Sequence, residues 1–321
     1  MKQSNNHYEE LSSIYYPHDI TGDDKDIVGD SNINTCLFCG RTRPNVTFKK
    51  DAHVIPAGLG NRTLFYLNEC DQCNAKFSLY ENELINYLTF DRIFIGASKR
   101  PGSGAPKYKN KSKLSSLEMS GRTLKLNILE EEGTFHIKKR KGKLLFEIKN
   151  PPPYRPDNIC KCLTHMAWAL LEDEDKAVVS YEPDWLIGSV NVYPLYMDTA
   201  FVPGNGFSHV ILEVFKSTGD ESQDYPYLIR FTYGLHIISF YLPKNPNIKL
   251  EPVRFTYCAH IPPDKAVHPI TWTIPSDERI KPDNICYEWN YRKIEKESIL
   301  KRAKRLLAKL FRKVMVSLKR G

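Results

Sequence analysis

Cys36-Leu37-Phe38-Cys39-Gly40 and Cys70-Asp71-Gln72-Cys73-Asn74 bracket Asp51-Ala52-His53-Val54-Ile55-Pro56-Ala57-Gly58-Leu59-Gly60-Asn61, and this stretch decides how the chain is read. Two C-x-x-C knuckles, one on each side, supply four thiolates, Cys36, Cys39, Cys70 and Cys73, to one tetrahedral Zn²⁺. Each knuckle needs its two intervening residues so that both sulfurs face one ion. After the second knuckle, Phe77, Leu84, Ile85 and Leu88 recur at helical spacing, which puts that knuckle at a helix start. The expectation is a hairpin and helix stapled by structural zinc over residues 31–97.

Outward from this module the text changes. Residues 1–30 hold seven acidic and two basic side chains and read as an acidic, unstructured lead-in. Residues 98–115 carry Pro, Gly and Ser punctuation with six basic and no acidic residues. They read as a basic linker whose Lys107, Lys109 and Lys111 can follow a phosphate backbone. From 116 to 282 strand-like runs dominate, among them 123–129, a hairpin around Lys141-Gly142, 210–215, 227–232 and 235–242. One helix opens at Pro156-Asp157 and sets Ile159, Leu163, Met166 and Leu170 on one face. This second unit is a mixed α+β domain with a role in recognition, sensing or assembly. Residues 283–321 read as a basic amphipathic helix, with Ile299, Ala303, Leu306, Leu310, Val314 and Leu318 on its apolar stripe.

Charge is concentrated at the end of the chain. Residues 288–321 hold twelve Lys/Arg against three Glu, so this tail exceeds the +8 of the whole chain. Such an excess points to a polyanion or an anionic membrane surface. With 41% apolar and 26% charged residues the composition is that of a globular protein. No uncharged apolar run reaches the roughly 18 residues of a spanning helix, and the polar start has no secretory h-region. Cysteines paired as C-x-x-C indicate metal in a reducing compartment, so a cytoplasmic location is expected.

Ala52-His53-Val54-Ile55-Pro56, then Leu59-Gly60, then Cys70 through Cys73-Asn74 resembles the HNH endonuclease family, in its branch with paired C-x-x-C. The resemblance runs only from Cys36 to about Phe90. It implies a treble-clef-like ββα-metal site that hydrolyses phosphodiesters in DNA with one divalent ion, Mg²⁺ or Mn²⁺, separate from the thiolate zinc. On the matching positions His53 is the general base, and Asn74 is a ligand of the catalytic ion. The family often has an acidic metal ligand directly before the histidine, where this chain has Ala52; Asp51, Glu81 and Glu83 are the acidic candidates nearby. Asn68 and Asn61 are the candidates for the motif's middle asparagine.

Other residues have plainer readings. Cys160 and Cys162 lie some 200° apart on a helix and cannot share a metal. Cys258 and His260 read as a packed strand pair, and His165 as a satisfied core histidine. Lys139, Arg140 and Lys141, at a hairpin tip, are either a solvated cluster or a second contact for nucleic acid. The whole reads as an α+β endonuclease of bacterial defence or restriction type. Its partner is DNA, an activating ligand or protein can act through residues 116–282, and homodimerisation is left open. The rivals are a non-catalytic zinc-stapled nucleic-acid-binding protein, and a membrane-surface or partner-binding protein whose zinc is only structural.

Overall fold

Apolar residues at three- and four-residue spacing after Cys70 wind into α1 (Asp71–Tyr87), which buries Cys73, Phe77, Tyr80 and Leu84 along one face. The computed structural model describes residues 8–17, 24–30, 34–97, 106–110, 112–120, 123–129, 131, 133–189, 196–202, 206–219, 224–248, 268–273 and 278–290. Leu88 separates α1 from α2 (Thr89–Ile95), which stops at Gly96 in the left-handed conformation, φ 74°. α3 (Pro156–Trp168) begins with proline in its first turn and buries Ile159, Leu163 and Met166 as the spacing predicts, while Leu170, expected on the same face, falls two residues past its end. Two short helices follow, α4 (Asp173–Val178) and α5 (Glu182–Ile187).

The strands form four sheets among the described residues. The smallest belongs to the cysteine module: β2 (Asp26–Val28), β4 (Leu64–Tyr66) and β3 (Ala52–His53), in that order across the sheet. β3 lies antiparallel to β4, with Ala52 opposite Tyr66 and His53 opposite Phe65. The largest has six antiparallel strands. Its order is β1 (Tyr8–Pro17), β11 (Phe207–Ser217), β12 (Tyr227–Gly234), β13 (His236–Leu242), β10 (Tyr196–Phe201) and β14 (His268–Thr273). The other two have three strands each. One joins β5 (Lys107–Lys109), β6 (Ser116–Ser120) and β7 (Thr123–Asn127); the other joins β15 (Ile285–Asn290), β9 (Lys143–Ile148) and β8 (Phe135–Arg140). The turn between β8 and β9 contains Gly142 at φ 71°, where the hairpin was expected. The fold is mixed α+β.

Three expectations need correction. The acidic lead-in contains a strand, because charge counted over all thirty residues masked its Tyr8, Leu11, Ile14 and Tyr16. β1 pairs with β11 along its whole length, and Tyr16 is buried. The basic linker contains β5, and its Lys107 is paired with Glu118 at 2.8 Å. Residues 285–290, assigned to the C-terminal helix, form β15, because they pair with β9 and Ile285 and Tyr287 share one face that packs into the cluster around Phe90 and Phe146. Residues 291–321, and Cys258 with His260, lie outside the described residues.

The cysteine module and the large sheet do not have separate cores. One apolar cluster takes in Phe38, Tyr66 and Phe77 from the module, Ile159 and Leu163 from α3, and Phe231 and Phe240 from the sheet. A second cluster, around Phe90, Ile93, Phe146 and Tyr287, joins α2 to the two small sheets.

Candidate metal centre and active site

The four expected thiols converge. Their sulfurs all lie within 4.8 Å of one another, with Cys36 to Cys73 and Cys39 to Cys70 both at 3.8 Å. Four sulfurs at about 2.3 Å from a tetrahedral zinc ion stand about 3.8 Å apart, so the donor set fits zinc in both chemistry and spacing. These separations are far longer than a covalent sulfur–sulfur bond, and all four cysteines are free. Local backbone makes the arrangement. Gly40, at φ 65°, lets its N–H return to the Cys36 carbonyl at 3.0 Å, and the Cys36 N–H donates to Arg41 O at 2.9 Å. The second knuckle sits on the first turn of α1, where the Asn74 N–H donates to Cys70 O. The sulfurs are close enough to compete for protons. A hydrogen shared with Cys73 draws the Cys36 thiol down to about 4, while Cys73 rises in step. Thiolate is the form that zinc requires. Arg41 adds a cation outside the cluster, its Nε donating to Cys39 Sγ at 3.4 Å.

Asp71 buckles the approach to His53 onto this centre, and sequence reasoning passed over it. Its Oδ1 accepts from the Lys49 and Lys50 N–H groups at 3.0 and 2.9 Å, and its Oδ2 accepts from the Thr47 hydroxyl. Its own N–H returns to Thr47 O at 2.8 Å. Burial pulls the Asp71 carboxyl upward, but these donors outweigh it and hold it below the usual carboxylate range. An aspartate in the first helical turn directly after a ligand cysteine was the available signal.

His53 is half-buried on β3, its ring centroid 4.8 Å from that of Phe65. Lys25 lies over the same Phe65 ring at 5.4 Å and pairs with Asp51 at 2.8 Å. Asp51 is therefore an exposed ion-pair partner two residues from the histidine. Ala52, at the family's acidic position, is fully buried. Asn74 is half-buried one turn into α1, and Asp71 ties the start of that helix to residues 47–50, just before the strand that carries His53. Glu81 follows Asn74 on the same stripe of α1, two turns or about 10.5 Å along the axis. Glu83 is occupied elsewhere, accepting from Arg155 N–H at 3.2 Å and from Arg279 Nη2 at 2.8 Å. Beyond the four cysteines, no second group of three or more His, Cys, Asp or Glu gathers for a metal among the described residues.

The two candidate middle asparagines both shape backbone. Asn61 is buried; its Nδ2 donates to Ile55 O and Leu64 O at 2.7 and 2.8 Å, and its Oδ1 accepts from the Thr63 and Leu64 N–H groups. It closes the turn between β3 and β4. Asn68, expected in the catalytic set, is buried and clamps Asp30 from both sides, with Oδ1 to its N–H at 2.9 Å and Nδ2 to its carbonyl at 2.8 Å. That is an anchoring position for the end of β2. Tyr16 of β1 reaches the same turn as Asn61, its hydroxyl accepting from Arg62 N–H at 2.9 Å.

Behind the cysteines lies a buried pair. Glu69, one residue before Cys70, meets His165 of α3 with Oε2 2.7 Å from Nε2. Phe77, Phe38 and Tyr66 surround the imidazole at 4.5, 5.1 and 5.1 Å, and the Tyr66 hydroxyl donates to His165 O. Burial pushes the Glu69 carboxyl up, and His165 opposes that rise. His165 is the satisfied core histidine that its apolar neighbours suggested.

Of the basic residues, Lys109, Lys139, Arg140 and Lys141 are exposed, Lys107 is paired with Glu118, and Lys111 lies outside the described residues. No helix among the described residues is long and apolar enough to cross a membrane. Neither a curated protein nor a solved structure matches the chain. Residues 36–86, from the first ligand cysteine to the last turn of α1, match the family model described as HNH endonuclease, so this stretch is similar to a family of nucleases.

Proposed function

We propose that this protein is a metal-dependent endonuclease that hydrolyses DNA phosphodiesters, with His53 as general base and a structural zinc on Cys36, Cys39, Cys70 and Cys73. The observation that carries the reading is the combination of a zinc-spaced thiolate cluster and His53 within the segment that matches the HNH endonuclease model. A neutral His53 imidazole takes a proton from the attacking water as the water oxygen bonds to phosphorus; the phosphorus–oxygen bond to the leaving group then breaks. Asn74 supplies an amide oxygen, a hard ligand suited to Mg²⁺ or Mn²⁺. When bound, that ion supplies positive charge beside the phosphate and leaving oxygen. Zn²⁺ is thus the structural metal, and Mg²⁺ or Mn²⁺ the catalytic one. Lys109 and the Lys139-Arg140-Lys141 turn offer exposed cations for the DNA backbone.

One observation favours a second reading, a zinc-stapled DNA-binding protein without catalysis. Ala52 is buried at the family's acidic position, and Asp51 is paired with Lys25. Cleavage of supercoiled plasmid with Mg²⁺ or Mn²⁺, wild type beside His53→Ala, separates the two. The expected result is nicking by wild type and a loss of at least about 100-fold in the variant, with zinc content and DNA affinity unchanged. Cleavage retained in His53→Ala rejects His53 as the base. Salt-sensitive DNA binding with no cleavage by either protein supports the second reading.

A further inference from the structure

A cavity of about 530 Å³ opens between α2, the β6–β7 and β8–β9 hairpins and the turn from β12 to β13. Its wall is mostly hydrocarbon: Phe94 of α2, Leu124 and Leu126 of β7, Leu144 and Phe146 of β9, and Leu235 of the turn. The cavity is partly open to solvent, and water against its apolar wall has few hydrogen-bond partners there. The volume is that of sites for drug-sized molecules.

The charge of the wall narrows the chemistry. Among the described lining residues only Asp91 is charged. Its Oδ1 is already engaged, accepting from Leu235 N–H at 2.7 Å and lying 2.9 Å from His236 Nδ1. An anion would meet this carboxylate with no cation in the wall, and a cation would compete with His236 for it. The occupant that these walls accept is uncharged and largely apolar.

α2 connects the cavity to the zinc module. The residue after Asp91, Arg92, is buried and donates from Nε to Gly58 O at 2.5 Å, in the turn that follows His53-Val54-Ile55-Pro56. The sheet end of this connection is tight: a Cβ on Gly234 would collide with Asp91 Cβ. A shift of α2 cannot be absorbed there without moving the backbone of the β12–β13 turn.

We propose that this cavity binds a small, uncharged, largely apolar molecule and that α2 transmits its occupancy to residues 54–60. The test uses the full-length zinc-loaded protein and the neutral fluorescent probe N-phenyl-1-naphthylamine. Wild type is expected to bind it saturably with one-to-one stoichiometry and blue-shifted emission. Leu126→Trp and Leu144→Trp, at half-buried wall positions where the added ring can enter the cavity, are expected to weaken binding at least tenfold while keeping zinc content and melting temperature. At probe saturation, amide hydrogen exchange over residues 54–60 is expected to slow at least twofold in wild type and not in Leu126→Trp. Non-saturable binding by wild type, or unchanged affinity in whichever variants fold, overturns the site. Unchanged exchange over 54–60 at saturation overturns the connection. Neither readout depends on cleavage, so failure of the nuclease reading leaves both intact.

Discussion

The cysteine module and the six-stranded sheet are held together by different means. Strands β2, β3 and β4 have only three, two and three residues, too few to stabilise a sheet by pairing alone. Their register depends on side-chain buckles: Asp71 on residues 47–50, Asn61 across the β3–β4 turn and Asn68 on Asp30. Four converging cysteine sulfurs, spaced for zinc, close the module, whose apolar residues are only part of a core shared with the sheet. The large sheet needs no staple. β11 and β12 run for eleven and eight residues, and β12 and β13 are buried along nearly their whole length. The difference teaches where local chemistry substitutes for apolar area, and it can be broken at the staple, at the joint and where α2 meets the start of β13.

The staple should give the largest effect. Zinc binding in small modules is folding free energy, roughly 10–16 kcal/mol for isolated zinc-binding peptides. Cys70→Ser is expected to abolish zinc binding and to lower the melting temperature by more than about 10 °C. Because Phe38, Tyr66 and Phe77 belong to the core shared with the sheet, the loss should reach beyond residues 34–97. Metal content and melting both unchanged would remove the staple from the comparison. Zinc loss with an unaltered sheet, read by hydrogen exchange over 207–242, would show two independent units.

The joint between the regions comes next. Glu69 and His165 are both buried and 2.7 Å apart, and His165 also packs among three aromatic rings. Single substitutions mix lost packing with lost hydrogen bonding, so a double-mutant cycle with Glu69→Gln and His165→Phe isolates the pair. A coupling of about 1.5–3 kcal/mol is expected for a buried charge-assisted bond. Coupling below about 0.5 kcal/mol would mean that the imidazole acts only as a ring in the core.

What could be read from the sequence follows range of interaction. The C-x-x-C pairs, the α3 stripe and the Gly142 hairpin are encoded within a few residues, and each lies where its spacing put it. The Glu69–His165 joint spans 96 positions and has no local signature, so His165 showed only as a histidine among apolar neighbours. β1 was hidden for a different reason. Counting charge over the whole lead-in averaged an apolar strand with its acidic flanks, and what orders it is β11, some two hundred residues away. β15 likewise needed β9 to distinguish strand from helix. In the candidate site, the place of His53 within the family-like segment was legible, but the buckles that orient its strand were not. Asp71, Asn61 and Asn68 act on backbone groups, which any residue supplies.

The smallest effect should appear where α2 meets the start of β13, at a pair that responds to pH. Burial pulls the His236 imidazole down, but the Asp91 carboxylate beside it outweighs that and raises its pKa above 6.5. Asp91 reaches it from α2, and the ring of Tyr87 packs edge-on from α1 at 5.3 Å. A raised folded-state pKa means that the charged pair stabilises the fold fully below about 6.5, and that this contribution is lost as pH rises through the folded value. Melting temperature should therefore fall modestly as pH rises above about 6.5. The fall should be smaller in His236→Gln, with zinc content constant throughout because rising pH favours thiolate. An equal fall in wild type and variant would assign the response to groups other than this pair. Zinc loss accompanying the fall would assign it to the module, and the distinction between a metal-held half and a packing-held half would then fail at its most sensitive point.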